Sequence, residues 1–348
     1  MVRKSTINLN QANIAKQNQL NDILVEYNRI TNLFIDKLWE QKQFSGNFVK
    51  DTSVSSWLSA RMKQASAKQA LSIVKSQRKK KKKSKPEFKK LTAELDYRFV
   101  KIEFDKNSFD IWLKLRSIGK QIKLWLPSRK HTHLNSLIEN NWTLKRSICL
   151  RKTDKGYFID LYLEKHKSKI KSIGSTIGID IGYKKLIVDS NGNRYGDNFQ
   201  ELANKISRKK QGSKAFKRAL VERDCFINKT VKELNLDNIQ TIVIENLKNV
   251  KHKSKGKIKK KFMNKLQRWS YPKVISRIKL ICEIIGVQVH MINPAYTSQT
   301  CSSCKNRDKL ARNGEWYKCK NCGLELDSDY NAALNILYSG LQENMVPV

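Results

Sequence analysis

Residues 176–182 read Thr176-Ile177-Gly178-Ile179-Asp180-Ile181-Gly182. The isoleucines recur at every second position. In an extended chain they fall on one face, with Gly178, Asp180 and Gly182 on the other. The spacing predicts a strand that opens a new unit near Ser175. An aspartate flanked by glycines on its own face leaves room for the backbone of a bulky ligand. Alone the signal is weak, because sugar-kinase-like and actin-like ATPases use Asp-x-Gly for phosphate, and an aspartate can also close a turn.

Downstream the pattern keeps alternating between strand and helix. Lys185 to Val188 predicts a second strand, turned by Asp189-Ser190-Asn191-Gly192. Gln200 to Leu234 is mostly helical, with a break near Gln211-Gly212. Ile239 to Ile244 is a continuous apolar run, as expected of a strand buried on both faces. It ends at Glu245, where open α/β sheets gather ligand groups, although any buried strand must emerge into polar residues somewhere. Trp269 to Ile285 predicts a helix, Val287 to Ile292 a strand stopped before Pro294, and Tyr330 to Leu341 a closing helix. This alternation argues an α/β layer fold.

An insertion precedes the closing helix. Cys301 and Cys304, then Cys319 and Cys322, form a C-x2-C-x14-C-x2-C array. Two such knuckles supply four soft thiolates, the set a tetrahedral structural Zn²⁺ takes. Four protein ligands leave no open position, so such a zinc would build a ribbon and not perform chemistry. Behind it stands Asp327-Ser328-Asp329. Any of the three can cap the closing helix, the commonest task for Asp and Ser there.

Upstream, residues 12–75 read as helical. Leu20, Ile23, Leu24, Tyr27, Ile30, Leu33 and Phe34 recur at three- and four-residue steps. A second helix is expected from Ser55 to Lys75, with Trp57, Leu58, Met62 and Leu71 among its apolar positions. Arg78 to Lys85 is a run of like charge closed by Pro86, hence an exposed connector suited to phosphates. Lys251 to Lys261 is another basic, Gly/Ser-containing linker. Between about Arg98 and Lys165 the period shifts to two, in Val100–Phe104, Ile122–Leu126 and Tyr157–Leu163. A small β-domain, a barrel, is the expectation there.

The 348 residues carry 70 Lys and Arg against 31 Asp and Glu, a formal charge of +39. Self-repulsion on that scale favours a polyanionic partner, and nucleic acid fits because cations neutralise phosphates and release counterions. No run of about 18 apolar residues occurs and the N-terminus is polar, so a soluble cytoplasmic protein without a membrane partner is expected. Cys149, Cys225 and Cys282 stand singly, as reduced thiols do. Five histidines form no metal-ligand pattern. Walker-type glycine loops, G-x-S-x-G and H-E-x-x-H are missing, which argues against P-loop ATPases, serine hydrolases and zincins.

Asp180, Glu245 and Asp329 come from two predicted strands and a helix. Carboxylates so placed can converge to hold two Mg²⁺ ions, hard cations that prefer oxygen ligands. Such a pair activates water and stabilises the leaving oxygen of an in-line phosphodiester displacement.

Several segments resemble the TnpB family of transposon-associated, RNA-guided nucleases, relatives of the compact type V CRISPR effectors. They are Tyr296-Thr297-Ser298-Gln299-Thr300-Cys301-Ser302-Ser303-Cys304, Lys318-Cys319-Lys320-Asn321-Cys322-Gly323 and Asp329-Tyr330-Asn331-Ala332-Ala333-Leu334-Asn335-Ile336. Gly178-Ile179-Asp180-Ile181-Gly182, Ile244-Glu245-Asn246-Leu247 and Trp269-Ser270-Tyr271 match in the same order. The resemblance covers the half of the chain from Ser175 onward.

The resemblance implies a RuvC-like (RNase H fold) nuclease domain at 173–348 with a zinc ribbon at 297–326, its catalytic carboxylates at Asp180, Glu245 and Asp329. It implies a helical recognition domain at 11–96 and a β-barrel wedge domain at 1–10 and 97–172. It implies a guide RNA and target double-stranded DNA with a short adjacent motif, whose reading residues are not identifiable here. The expected activity is transposon-associated, RNA-guided DNA cleavage by a monomer with its RNA, near a prokaryotic nucleoid. The alternatives are an RNA-guided repressor without cleavage, a compact CRISPR effector, or a nuclease that reads DNA directly.

Overall fold

The computed structural model describes residues 1–41, 54–80, 84–96, 98–106, 108–117, 121–247 and 270–345. The basic stretch at 251–261 lies outside the described residues, as do 81–83 within the other one. The chain divides into two compact units, Met1–His166 and Lys167–Val348. No described helix is long and apolar enough to cross a membrane.

The first unit runs β1 (Val2–Asn8), α1 (Ile14–Glu40), α2 (Ala60–Arg78), β2 (Thr92–Asp96), β3 (Val100–Lys106), β4 (Phe109–Arg116), β5 (Lys123–Ser128), α3 (Thr132–Glu139), β6 (Thr143–Thr153) and β7 (Gly156–Glu164). Asn13 caps α1 by accepting from the Lys16 amide at 3.0 Å. The expected apolar stripe is buried except at Leu33, which is 37% exposed. The second helix starts five residues later than the periodicity predicts. Ser59 accepts from the Met62 amide and so sets its N-cap, which leaves Trp57 outside the helix and 46% exposed.

Among the described residues the expected barrel does not close. The strands make two open antiparallel sheets, β1-β7-β6-β2 and β3-β4-β5. The physical reason is that helix supplies the cover that closure would have given. Tyr27 and Phe34 of α1 and Val74 of α2 share one apolar cluster with Ile148, Ile159 and Leu113 from both sheets. With their apolar faces buried this way, the sheets need no seam.

The second unit is built on β8 (Ser175–Asp180), β9 (Ile187–Asp189), β10 (Arg194–Tyr195), β11 (Ile239–Glu245) and β12 (Gln288–Ile292). They form one mixed sheet in the order β10-β9-β8-β11-β12, with β8, β11 and β12 parallel and β9 and β10 antiparallel. Ile177, Ile179, Ile242 and Ile244 are buried in a core shared with α5 (Lys214–Lys232) and α6 (Tyr271–Ile285), beside which α4 (Phe199–Ser207) packs. The closing helix α7 (Ser328–Met345) covers the other face, where Val243, Ile292 and Ile336 meet. Its approach depends on two glycines. A Cβ on Gly178 would overlap the backbone of Ala333 and Leu337, and one on Gly340 would overlap the Val243 side chain. The room beside Asp180 is therefore taken, at Gly178, by the protein's own last helix and not by a ligand.

Candidate active site

The three carboxylates picked out from the sequence meet in one cleft. Ile179 of β8 pairs in parallel register with Ile244 of β11, so Asp180 and Glu245 leave neighbouring strands at the same level. Asp329 stands in the first turn of α7, its carboxylate 3.8 Å from where a Cβ on Gly182 would be. Together they line a cleft of about 540 Å³, with Gly182, Lys184, Thr297, Arg312 and Glu315 around them.

Charge is badly matched there. Burial, reinforced by the charges of Glu245 and Asp329, pushes the Asp180 carboxyl well above the usual carboxylate range, and Arg312 offsets only part of this. Burial also raises Glu245, against a hydrogen bond donated by the Thr297 hydroxyl. Asp329 has a direct cationic partner, the Arg312 guanidinium at 2.9 Å. Three crowded acids facing one guanidinium make a site whose chemistry calls for further positive charge. Carboxylate oxygens are the donors that hard divalent cations prefer.

Sequence patterning identified neither Arg312 nor the role of Thr297. Thr297 lies inside a quoted signature segment, but nothing in its spacing marks it as the group that aims Glu245. Arg312 sits between the two cysteine knuckles, on a strand of two residues. No periodicity distinguishes it from the many other cations of this chain.

The cysteine ribbon carries β13 (Arg312–Asn313), β14 (Trp316–Lys318) and β15 (Glu325–Asp327), and β15 runs directly into α7. It thus holds both Arg312 and the start of the helix that bears Asp329. The Sγ atoms of Cys301, Cys304, Cys319 and Cys322 lie within 4.8 Å of one another, a set able to hold a metal ion. Cys301 and Cys322 are 3.7 Å apart and Cys304 and Cys319 3.6 Å. A tetrahedron with metal–sulfur bonds of about 2.3 Å has edges close to that. The Asn321 amide, 3.5 Å away, and the Asn306 backbone pull the Cys304 thiol down to about 6, toward the thiolate a metal binds. From α7, buried Asn331 and Asn335 donate to the Thr300 carbonyl at 2.9 and 2.7 Å, and Asn335 also donates to that of Thr297 at 3.0 Å. The Asn residues of the signature therefore fasten the first knuckle to the helix.

Asp327 has the capping role expected from the sequence, and a second one. Its Oδ1 accepts from the amides of Asp329 and Tyr330 at 3.0 and 3.1 Å, while Oδ2 pairs with Lys185. Burial opposes its ionisation, but the bonds from Lys185 and Tyr330 outweigh that and hold it below the usual carboxylate range.

Known proteins resemble this chain in the same region. The family model described as Cas12f1-like, TNB domain, matches residues 271–336. A CRISPR-associated endodeoxyribonuclease Cas12f1 from Sulfoacidibacillus thermotolerans is 46% identical over 72 residues, 20% of this chain and 17% of that protein. The TnpB-like protein MJ0751 of Methanocaldococcus jannaschii is 27% identical over 195 residues, 48% of this chain and 69% of that protein. The chain thus spans less than a fifth of the first relative's length. In fold it resembles the protein of a Cas12f1–sgRNA–target DNA complex, with a TM-score of 0.58 at 15% identity over 92% of this chain and 80% of that one. The TNB-domain match, the TnpB-like relatives and the common fold agree in their direction: the chain is similar to TnpB-like proteins and compact type V effectors.

Proposed function

We propose that the protein is an RNA-guided DNA endonuclease whose RuvC-like unit, residues 173–348, hydrolyses target phosphodiesters with two Mg²⁺ ions. The supporting observation is the convergence of Asp180, Glu245 and Asp329 on one cleft, with more negative charge than Arg312 can balance. Oxygen donors from two strands and a helix around one cleft are the kind of set that holds a pair of hard divalent ions about 4 Å apart. When bound, those ions supply Lewis acidity to the scissile phosphate and a hydroxide nucleophile at neutral pH.

The chain's own residues do the positioning. Asp180 and Glu245 stand on adjacent buried strands and cannot swing far, which fixes the donors in advance. The Thr297 hydroxyl holds one oxygen of Glu245 and leaves the other for a cation. Arg312 restrains Asp329 and, released from it, can reach a phosphate oxygen in the cleft. The ribbon cysteines hold a structural Zn²⁺ and thereby place Arg312 and the first turn of α7.

Sequence reading of the target falls to guide–target base pairing, with the protein gripping backbones by charge and shape. Residues 11–96 act as recognition helices, and 1–10 with 97–172 as the wedge. The assembly is one protein with one guide RNA, acting in the cytoplasm at the nucleoid and encoded with a transposon.

The test is to sequence RNA that copurifies with the protein, then supply plasmid DNA matching it with Mg²⁺. Guide-dependent cutting that is lost in Glu245→Ala supports the proposal. Guide-directed binding without cutting by the native protein indicates a repressor. Cutting by RNA-free protein indicates direct DNA reading.

A further inference from the structure

The β3-β4-β5 sheet has an outer face that its core does not explain. Ile111, Leu113 and Leu115 of β4 point inward, none more than 1% exposed. Strand alternation therefore turns Trp112 and Lys114 outward, and Trp125 on β5 with them. Solvent-facing sheet positions ordinarily carry polar residues. Here two half-buried tryptophans stand on the diagonal between adjacent strands, ring centroids 6.5 Å apart and planes at 70°. The Lys114 ammonium lies 4.7 Å from the Trp125 ring centre. Among the described residues the Trp112 indole nitrogen has no hydrogen-bond acceptor.

The register adds an independent oddity. Lys101 stands directly opposite Lys114, and Arg116 directly opposite Lys123. Like charges in such cross-strand positions are destabilising. Lys101 pairs with Glu103 at 2.7 Å, but Lys114, Arg116 and Lys123 have no carboxylate partner among the described residues. Glu103 stands opposite Trp112 and answers Lys101, while the other acids lie at the far end, where Asp105 pairs with Lys130 at 2.5 Å and Asp110 accepts from the Lys130 amide. Lys114 beside Trp125, with the Arg116–Lys123 pair in the next row, forms a cationic edge that no described carboxylate answers.

We propose that this face binds an unpaired segment of RNA, with bases stacked on Trp112 and Trp125 and phosphates held by the Lys101–Lys114 and Arg116–Lys123 pairs. Flat aromatic rings on a sheet with cations beside them take single strands of any sequence, because every base offers a π face. A duplex hides those faces. The choice of RNA over DNA rests on the function proposed above. A guide is held continuously and can relieve the cross-strand repulsion in the resting protein, whereas target DNA is present only briefly.

The experiment uses the full chain stripped of nucleic acid in high salt, with fluorescein-labelled ten-nucleotide oligouridine, oligo-dT of equal length, and duplex RNA. Trp112→Ala and Trp125→Ala should each weaken oligouridine binding about tenfold or more, and Trp125→Phe should recover most of it. Arg116→Ala with Lys123→Ala should flatten the salt dependence by between one and two in log–log slope. Thermal melts check that each variant is folded, and the Phe variant keeps the result readable if an Ala variant is not. Unchanged oligouridine affinity in the folded alanine variants overturns the proposal while leaving guided cleavage standing. Duplex RNA competing as well as the single strand overturns the stacking mode, and tighter oligo-dT than oligouridine binding overturns the assignment to RNA. Native protein that neither binds RNA nor needs it to cut overturns the functional reading itself.

Discussion

Asp160 in the first unit and Asp180 in the second are both acids on strands, and their surroundings are opposite. Asp160 is 4% exposed and accepts from the Thr6 hydroxyl at 2.5 Å, the Lys4 ammonium at 3.3 Å and the Arg151 guanidinium at 3.2 Å. Its charge is balanced from within the fold. Asp180 keeps some contact with solvent through the cleft, yet its carboxyl is crowded by Glu245 and Asp329, with the Arg312 guanidinium opposing them. A buried acid is therefore not a functional mark by itself, since a fully answered one ties strands together. The imbalance is the mark.

The sharpest separation should come from cleavage. Alanine at Asp180, Glu245 or Asp329 should lower it by at least about a thousandfold, and removing two should cost little more than removing one, because such groups act as a unit. Asp160→Asn should cut normally once folded. Single-turnover assays on guide-loaded protein decide this, and three active single variants would end the nuclease reading.

Next in size is the ribbon. Cys319→Ser should abolish stoichiometric zinc, and with it a metal contribution of roughly 10 kcal/mol to local folding. Arg312 and the start of α7 would lose their support, so cleavage should fall as an indirect effect. Elemental analysis that finds no zinc in well-folded native protein would refute the assignment.

Stability should then respond with opposite signs in the two regions. Asp160→Asn should destabilise the first unit by about 2 kcal/mol, because hydrogen bonds to charged groups are lost. Asp180→Asn should stabilise metal-free protein at pH 7 by about 1 kcal/mol, since it removes one of three crowded charges. The sign follows from linkage. A carboxyl raised in the folded state binds protons that the unfolded chain has released, so its penalty grows as pH rises from about 4. Adding Mg²⁺ should close the gap. Chemical denaturation with and without EDTA measures it, and a less stable Asp180→Asn in EDTA contradicts the charge argument.

How far the sequence reached depended on how local each signal was. The isoleucine alternation around Asp180 and the unbroken run before Glu245 are local, and both strands formed where that periodicity placed them. The cysteine knuckles are local too, and their thiols cluster. Gly178 was misread because its neighbour, Ala333, lies far along the chain, and a glycine does not declare which backbone it admits. Closure of the first-unit sheets depends on where α1 and α2 pack, and a period of two cannot encode that. Trp57 carries an apolar side chain in a helical-looking run, yet one hydroxyl at Ser59 starts the helix beyond it. Arg312 was invisible among 70 basic residues, because only its distance to Asp329 singles it out.

The packing of α7 against Gly178 and Gly340 has a consequence for the order of assembly. Asp180 leaves the ribosome about 150 residues before Asp329, an interval of roughly seven to thirty seconds at ordinary synthesis rates. Through that interval β8 and β11 can pair, but the cleft lacks its third acid and its guanidinium. Both arrive only with the cysteine ribbon and the helix that follows it. The nascent chain therefore passes through an extended period as a half-site, and the cleft proposed to cut is complete only after its cysteine ribbon has been made.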